Sequence, residues 1–212
     1  MQWTDLQNEC LKEFHEQGGS GQVIRDALTK VPLDAHMIQI CQLLFDSGWK
    51  LVILSDANSV YIEGILQHYG IRHLFSNVIT NPAHWDEQDR LYIQRLTPAN
   101  APHGCAMGVC SLNICKGQQV DTLLRHVGKD MSTRMIYVGD GRNDYCPAIR
   151  MKDDKDILFV RRGRSLEAYL TRDDPAIQEV LKARIVYWKR AGDILEELFS
   201  APEIVRLLLE DD

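Results

Sequence analysis

MIYVGDGRND, residues 135–144, joins four apolar residues to an acidic loop that is flanked by glycines. The apolar run is short and lacks polar alternation, which predicts a fully buried strand of a parallel sheet. Gly139 and Gly141 predict a sharp backbone turn at the carboxyl end of that strand. Asp140 and Asp144 are therefore expected at the sheet edge where open α/β folds bind their ligands.

The two carboxylates of this loop predict a metal site. Carboxylates held close together on a tight loop repel each other unless a cation lies between them, and oxygen ligands favour a hard ion such as Mg²⁺. A polar turn with solvated acids is the alternative. Asn143 beside the second aspartate favours the metal site, with Asp140 and Asp144 as its ligands.

The composition is that of an ordinary globular protein. The 212 residues are 45% hydrophobic and 25% charged, which fits one domain, or one domain with a small appendage. A formal net charge of −6 and the lack of a basic stripe with interleaved aromatics argue against a nucleic-acid partner. No apolar run has the length of a membrane span, and residues 1–10 contain no signal-peptide core. We expect a cytoplasmic protein without a nucleic-acid or membrane partner, and its oligomeric state stays open.

The six cysteines do not form the pattern of a secreted disulfide framework, which favours a reduced compartment. Cys105, Cys110 and Cys115 are spaced at five-residue intervals in a glycine-containing loop, and Cys146 follows the acidic loop. A zinc site would normally show closer cysteine pairs or histidines at set spacing. A metal-binding module built on the three loop cysteines, with His103 nearby, is therefore kept as an alternative.

The order of helices and strands predicts an α/β fold. Three helices at 5–17, about 22–30 and 34–47 come first, and the pattern then changes to buried strands that alternate with helices, as in a parallel sheet. The predicted strands are 50–54, 78–80, 91–96, 135–138, 156–160 and 185–188. The later helices are expected to end near Tyr69, to begin at Lys116, and to lie at about 165–171, 175–183, 192–199 and 202–209.

Polar residues at the ends of these elements predict a phosphate site. Ser55 follows one buried strand, Lys116 opens a helix, and the acidic pair follows another strand, so a parallel sheet would bring them to one edge. A hydroxyl and helix N-terminal N–H groups bind phosphoryl oxygens, a lysine adds a point charge, and a metal neutralises the charge of the transition state. A helix cap for Ser55 and a solvated side chain for Lys116 are the plainer alternatives.

Three segments, LVILSDANS at 51–59, NICKG at 113–117 and YVGDGRNDYCP at 137–147, are similar to motifs of the haloacid dehalogenase superfamily of phosphatases. The chain resembles the branch of phosphoethanolamine/phosphocholine phosphatase, pyridoxal-phosphate phosphatase and plant thiamine-monophosphate phosphatases. The resemblance implies a Mg²⁺-dependent phosphomonoesterase of small phosphorylated metabolites. It also implies a Rossmann-like parallel sheet with flanking helices, with residues 1–33 as a partial helical cap and 34–212 as the core.

The resemblance implies a role for each residue of the phosphate site. Ser55 would bind the transferring phosphoryl group, and Lys116 would hold both the phosphate and a nucleophilic carboxylate. Asp56 is similar to a position that meets a cationic substrate head group.

The same resemblance implies the roles of the acidic loop. Asp140 would ligate Mg²⁺, and Asp144 would ligate or support the ion. Asn143 would help to orient the site.

The chain lacks one motif that the family uses. Its chemistry begins on a central strand that ends in D-x-D-x-[T/V], where one aspartate attacks phosphorus and the other is general acid and base. Asp154-Lys155-Asp156 is the only D-x-D, and no apolar strand precedes it, so it is not that pair. We therefore expect the first central strand to be absent and the 212 residues to be a truncated or degenerate copy. A catalytically inactive phosphate-binding or regulatory relative is the alternative function.

Overall fold

The computed structural model describes residues 2–127, 134–152 and 155–200. These residues form two compact units. Unit 1 comprises the described residues up to Gly104 together with Leu112–Ile114, and unit 2 comprises Cys105–Ser111 and the described residues from Cys115 onward. The predicted cap, residues 1–33, lies within unit 1, and its boundary stays a prediction.

Unit 1 combines four helices with two small sheets. Its elements are α1 (Trp3–Glu16), α2 (Gly21–Leu28), α3 (Ala35–Asp46), β1 (Leu51–Asn58), α4 (Ser59–His68), a 3₁₀ turn (Arg72–Leu74), β2 (Phe75–Asn81), β3 (Ala83–Trp85) and β4 (Leu91–Ile93). Strands β1 and β2 are parallel, with Ile53 opposite Val78, whereas β3 and β4 are antiparallel, with His84 opposite Tyr92. The predicted strand–helix–strand unit is confirmed, and only the three-residue β3 was not predicted, because so short a strand shows no periodicity.

In unit 1, asparagine side chains hold helix α1 against β4 and cap the start of helix α4. Asn8 of α1 donates to the carbonyl of Ile93 at 2.7 Å and accepts the N–H of the same residue at 2.9 Å, so its amide pairs with β4 like a neighbouring strand. Asn58 is the N-cap of α4, and its side-chain oxygen accepts the N–H of Tyr61 at 2.9 Å. Ser55 lies inside β1, so the alternative of a helix cap for Ser55 is wrong.

Unit 2 contains a three-stranded parallel sheet with helices. Its elements are α5 (Lys116–Val127), β5 (Ile136–Gly139), a 3₁₀ turn (Arg142–Asp144), α6 (Tyr145–Ala148), β6 (Ile157–Arg161), α7 (Ser165–Leu170), α8 (Pro175–Glu179), β7 (Arg184–Trp188) and α9 (Ala191–Ser200). The strand order is β5-β6-β7. The central strand β6 is the most buried, with Leu158, Phe159 and Val160 fully inaccessible. The helix predicted at 202–209 lies outside the described residues.

Strand β5 differs from its prediction as a fully buried strand. Val138 is 42% exposed, and Ile136 and Tyr137 are only partly buried. In the part of the chain that the structure describes, β5 pairs with β6 alone, so it is an edge strand of its sheet. An edge strand has a ladder partner on one side only, which leaves its other side accessible.

No described helix is both long and apolar enough to cross a membrane. The expected lack of membrane and nucleic-acid partners and the expected cytoplasmic location stay predictions.

Candidate active site

A buried ion pair lies at the carboxyl end of β5. Lys116 is the first residue of α5, and its Nζ lies 2.6 Å from Oδ1 of Asp144. The same oxygen accepts the hydroxyl of Tyr137 at 2.8 Å. The other oxygen, Oδ2, accepts the backbone N–H groups of Asp140 at 3.0 Å and Gly141 at 2.9 Å. Since a carboxylate has about four acceptor positions, the Asp144 carboxylate is saturated by donors of the protein itself.

The two glycines of the acidic loop permit this close approach. A Cβ on Gly139 would lie 2.8 Å from Cβ of Asp144, and a Cβ on Gly141 would lie 2.5 Å from Oδ1 of Asn143. Neither glycine has a positive φ. The predicted reason, freedom to turn sharply, is therefore wrong, and the absence of a side chain is what the site requires.

The side chain of Asp140 differs from that of Asp144 in being accessible. Asp140 follows the last residue of β5 and is exposed. Its backbone is held, because its carbonyl accepts the N–H of Leu166 at 3.0 Å. Asn143 lies close by, and its Nδ2 donates to Oγ of Ser111 at 3.1 Å. An accessible carboxylate with an amide group nearby is the kind of oxygen donor set that suits Mg²⁺.

The predicted phosphate residues Ser55 and Asp56 lie in unit 1. The Oγ of Ser55 accepts the N–H of Ala57 at 3.2 Å. Sequence reasoning missed Asn81, which is fully buried and whose Nδ2 donates to the carbonyls of both Asp56 and Ala57 at 2.8 Å. An amide directly before Pro82, at the end of the predicted strand, was the available signal. The predicted convergence of Ser55 on the residues of unit 2 stays a prediction.

Two buried polar groups near Ser55 have unused hydrogen-bonding capacity. Nδ2 of Asn58 and Oγ1 of Thr80 have no hydrogen-bond partner among the residues that the structure describes. Both residues stand toward the carboxyl ends of the parallel strands β1 and β2. Buried donors and acceptors are almost always paired, so these two atoms fit a place that receives a polar ligand or water.

Asp156 serves a structural purpose at the opposite end of the sheet of unit 2. It precedes β6, and its carboxylate accepts the N–H of Met135 at 2.8 Å and that of Lys152 at 2.7 Å. Asp140, in contrast, follows the carboxyl end of β5. The exclusion of the lone D-x-D as the nucleophilic pair therefore agrees with the position of Asp156; Asp154 lies outside the described residues.

Four thiols form a second group of reactive side chains in unit 2. The Sγ atoms of Cys105, Cys110, Cys115 and Cys146 all lie within 4.8 Å of one another. A hydrogen bond from Cys110 and the positive charge of Arg150 lower the pKa of the Cys146 thiol, and the same hydrogen bond raises the pKa of Cys110. The sequence grouped only the first three, because Cys146 belongs to another segment and is brought to them by the fold.

Comparison with known proteins identifies relatives of this chain. A family model described as "Putative Phosphatase" matches residues 1–202. Inorganic pyrophosphatase 1 of Arabidopsis thaliana is 34% identical over 98% of this chain and 69% of its own length. The thiamine phosphate phosphatase-like protein of the same plant is 33% identical over 94% of this chain and 81% of its own length. Pyridoxal phosphate phosphatase PHOSPHO2 of Mus musculus is 28% identical over 92% of this chain and 80% of its own length. No solved structure matches the chain.

Proposed function

The chain belongs to the phosphatase family described as "Putative Phosphatase", and from that membership we propose a Mg²⁺-dependent phosphomonoesterase that acts on small phosphorylated metabolites. The family match confirms the resemblance to phosphatases. The observation that carries the finer proposal is the buried pair of Lys116 and Asp144 at the carboxyl end of β5. A buried cation held at the ligand-binding edge of a parallel sheet suits a phosphoryl group.

Lys116 has two tasks in this proposal. Its ammonium group has three donor hydrogens, and one of them is directed to Oδ1 of Asp144 at 2.6 Å. The others can donate to a phosphoryl oxygen and, as the family resemblance implies, to a nucleophilic carboxylate, which no residue of this chain is assigned to supply. Asp144 orients the ammonium group and balances its charge, which lowers the cost of burying it.

Ser55 supplies the hydroxyl donor to the phosphoryl group. Its backbone position is fixed by Asn81, which ties the two residues that follow Ser55 to the end of β2. The unused polar atoms of Asn58 and Thr80 support a polar ligand at this strand end.

Asp140 is the residue that we assign to Mg²⁺, with Asn143 beside it. Among the described residues, the accessible carboxylate of Asp140 would give up no side-chain or backbone donor to take a metal ion, whereas Asp144 would have to release one of four donors. Asp144 accordingly supports the loop. When bound, the ion would neutralise the negative charge that develops on the phosphoryl oxygens.

No residue of this chain is assigned as the nucleophile. The 212 residues contain no D-x-D-x-[T/V], and Asp156 is occupied at the other end of its sheet. The second candidate function is a protein that binds phosphorylated metabolites without turnover, for which a buried cation such as Lys116 would suffice.

The relatives and Asp56 support the proposed class of substrates. The relatives carry the names of phosphatases for thiamine phosphate and pyridoxal phosphate and of an inorganic pyrophosphatase. Phosphocholine and phosphoethanolamine carry a cationic group that a carboxylate such as Asp56 could bind. Inorganic pyrophosphate has no cationic group. Its turnover therefore distinguishes a site that needs a cationic group beside Asp56 from a site that needs only the phosphate.

A screen of these five compounds with Mg²⁺ tests the proposal. Release of orthophosphate that is lost in Asp140→Asn, and kept in the control Asp46→Asn, which changes an exposed residue at the end of α3, would support the phosphatase. Binding in a calorimetric titration without release, lost in Lys116→Met, would support the binding protein instead. If the chain neither binds nor hydrolyses any of them, both candidate functions are refuted.

A further inference from the structure

We propose that Cys105, Cys110, Cys115 and Cys146 bind one structural zinc ion through four thiolates. The three loop cysteines of the sequence gain their fourth partner from α6, 31 residues after Cys115. None of the four has a role in the proposed phosphatase chemistry, so the zinc site stands independently of that function.

The sulfur distances fit a tetrahedron, because four of its six edges are close to equal and the other two pairs also lie within 4.8 Å. The Sγ–Sγ distances along four edges are 3.7 Å for Cys105–Cys146, 3.6 Å for Cys105–Cys110, 3.6 Å for Cys110–Cys115 and 3.7 Å for Cys115–Cys146. Four thiolates at about 2.3 Å from a tetrahedral zinc ion stand about 3.8 Å apart. A disulfide would require about 2.05 Å, and all four cysteines are free.

The surroundings of the four sulfurs suit a negatively charged metal centre. Zinc with four thiolates carries a net charge of about −2, and Nη1 of Arg150 lies 3.2 Å from Sγ of Cys146. Arg150 is held in turn by Asp121, 3.1 Å from its Nε. The backbone N–H of Gln118 donates to the thiol of Cys115. Metal ligands are oriented by outer partners of this kind.

Gly117 allows α5 to lie against this cluster. A Cβ at this position would lie 2.6 Å from Sγ of Cys146 and 2.5 Å from Cζ of Arg150. The close approach places Cys115, at the start of the helix, beside Cys146 of α6.

A four-thiolate site is closed, so its role is structural. Cys115 directly precedes Lys116, and Cys146 lies two residues after Asp144. An ion bound by both cysteines would hold these two segments together beside the 2.6 Å ion pair. Cys105 and Cys110 would tie the long loop before α5 to the same point.

The first test measures metal in the full chain, purified under reducing conditions without added chelator. We expect one zinc ion per chain by mass spectrometry of elements. X-ray absorption at the zinc edge should show four sulfur neighbours at about 2.3 Å. Replacement by Co²⁺ should give the visible spectrum of a tetrahedral thiolate complex. Iron in place of zinc, oxygen ligands, or six titratable thiols with no metal after refolding with Zn²⁺ would overturn the proposal.

The second test uses matched cysteine substitutions. Cys105→Ser and Cys146→Ser should lower the zinc content and the affinity for Co²⁺ by at least tenfold, whereas Cys10→Ser and Cys41→Ser in unit 1 should keep one zinc ion per chain. Equal zinc content in all four variants would refute the assignment. Disulfides among these four cysteines in protein purified under reducing conditions, detected as a lower intact mass, would refute the assignment as well. If a cysteine variant fails to fold, the metal content of the unaltered chain in the first test still decides whether zinc is bound.

Discussion

Removing the cation from the buried pair is the most direct perturbation of the candidate active site. In Lys116→Met, a side chain that is 10% exposed loses its charge, and the 4% exposed Asp144 loses a partner at 2.6 Å. Breaking a buried pair in this way typically costs 3–5 kcal/mol, and Asp144 keeps three other donors, so we expect a loss of about 3 kcal/mol. With a urea m-value of about 3 kcal/mol/M, the unfolding midpoint should fall by about 1 M. Loss of this donor should also lower turnover or phosphate affinity by on the order of 10²-fold.

Arg162→Met is the matched control for this experiment. Arg162 pairs with Glu167 at 3.1 Å, but its side chain is 55% exposed, and such surface pairs contribute only about 0–1 kcal/mol. Urea unfolding of both variants, followed by circular dichroism, compares the two pairs directly. If Lys116→Met lowers the free energy of unfolding no more than Arg162→Met does, the pair of Lys116 and Asp144 does not contribute as a buried ion pair.

Three further substitutions test the structural assignments. Asn81→Ala should lower the free energy of unfolding by about 3 kcal/mol, because two carbonyls at the end of β1 lose their donor; an unchanged urea midpoint would contradict this. Gly141→Ala should weaken Mg²⁺ binding by more than tenfold in a titration, because the added Cβ displaces Asn143, and unchanged affinity would exclude the packing argument. Asp156→Ala should cost about 3 kcal/mol by loss of two charge-assisted hydrogen bonds, while the turnover of the folded fraction is unchanged; selective loss of turnover would contradict the exclusion of Asp156 from the chemistry.

The sequence predicted elements whose cause is local. Apolar runs located β1, β5 and β6, and the helix beginning at Lys116 was found from its periodicity. Contacts that depend on the fold were not accessible in this way. Cys146 reaches the other thiols only because α6 packs against α5, and Asn81 reaches Asp56 only because β1 and β2 are parallel neighbours.

The burial of β5 was mispredicted for a related reason. An apolar run records which residues tolerate burial, but the number of neighbouring strands decides how much burial occurs. Val138 is 42% exposed because, among the described residues, β5 has β6 as its one ladder partner. The expected absence of a first central strand is consistent with such an edge, but it stays a prediction.

The roles of the two aspartates of the acidic loop can be separated by one comparison, although the sequence predicts both as candidate ligands. Asp140→Asn changes an exposed side chain and removes a negative charge near Asp144, so stability should change by less than about 0.5 kcal/mol while Mg²⁺ binding is lost. Asp144→Asn places an amide NH₂ where an oxygen now accepts two backbone N–H groups or the Lys116 and Tyr137 donors. It should therefore cost about 3–4 kcal/mol. The double variant Asp144→Asn/Lys116→Met should lose less free energy of unfolding than the sum of the two single losses. The difference should be at least about 1 kcal/mol, because both substitutions remove the same ion pair. Urea unfolding and a Mg²⁺ titration compare the two asparagine variants. Equal stability together with equal loss of Mg²⁺ binding would show that Asp144 is a metal ligand like Asp140 and that the division of roles is wrong.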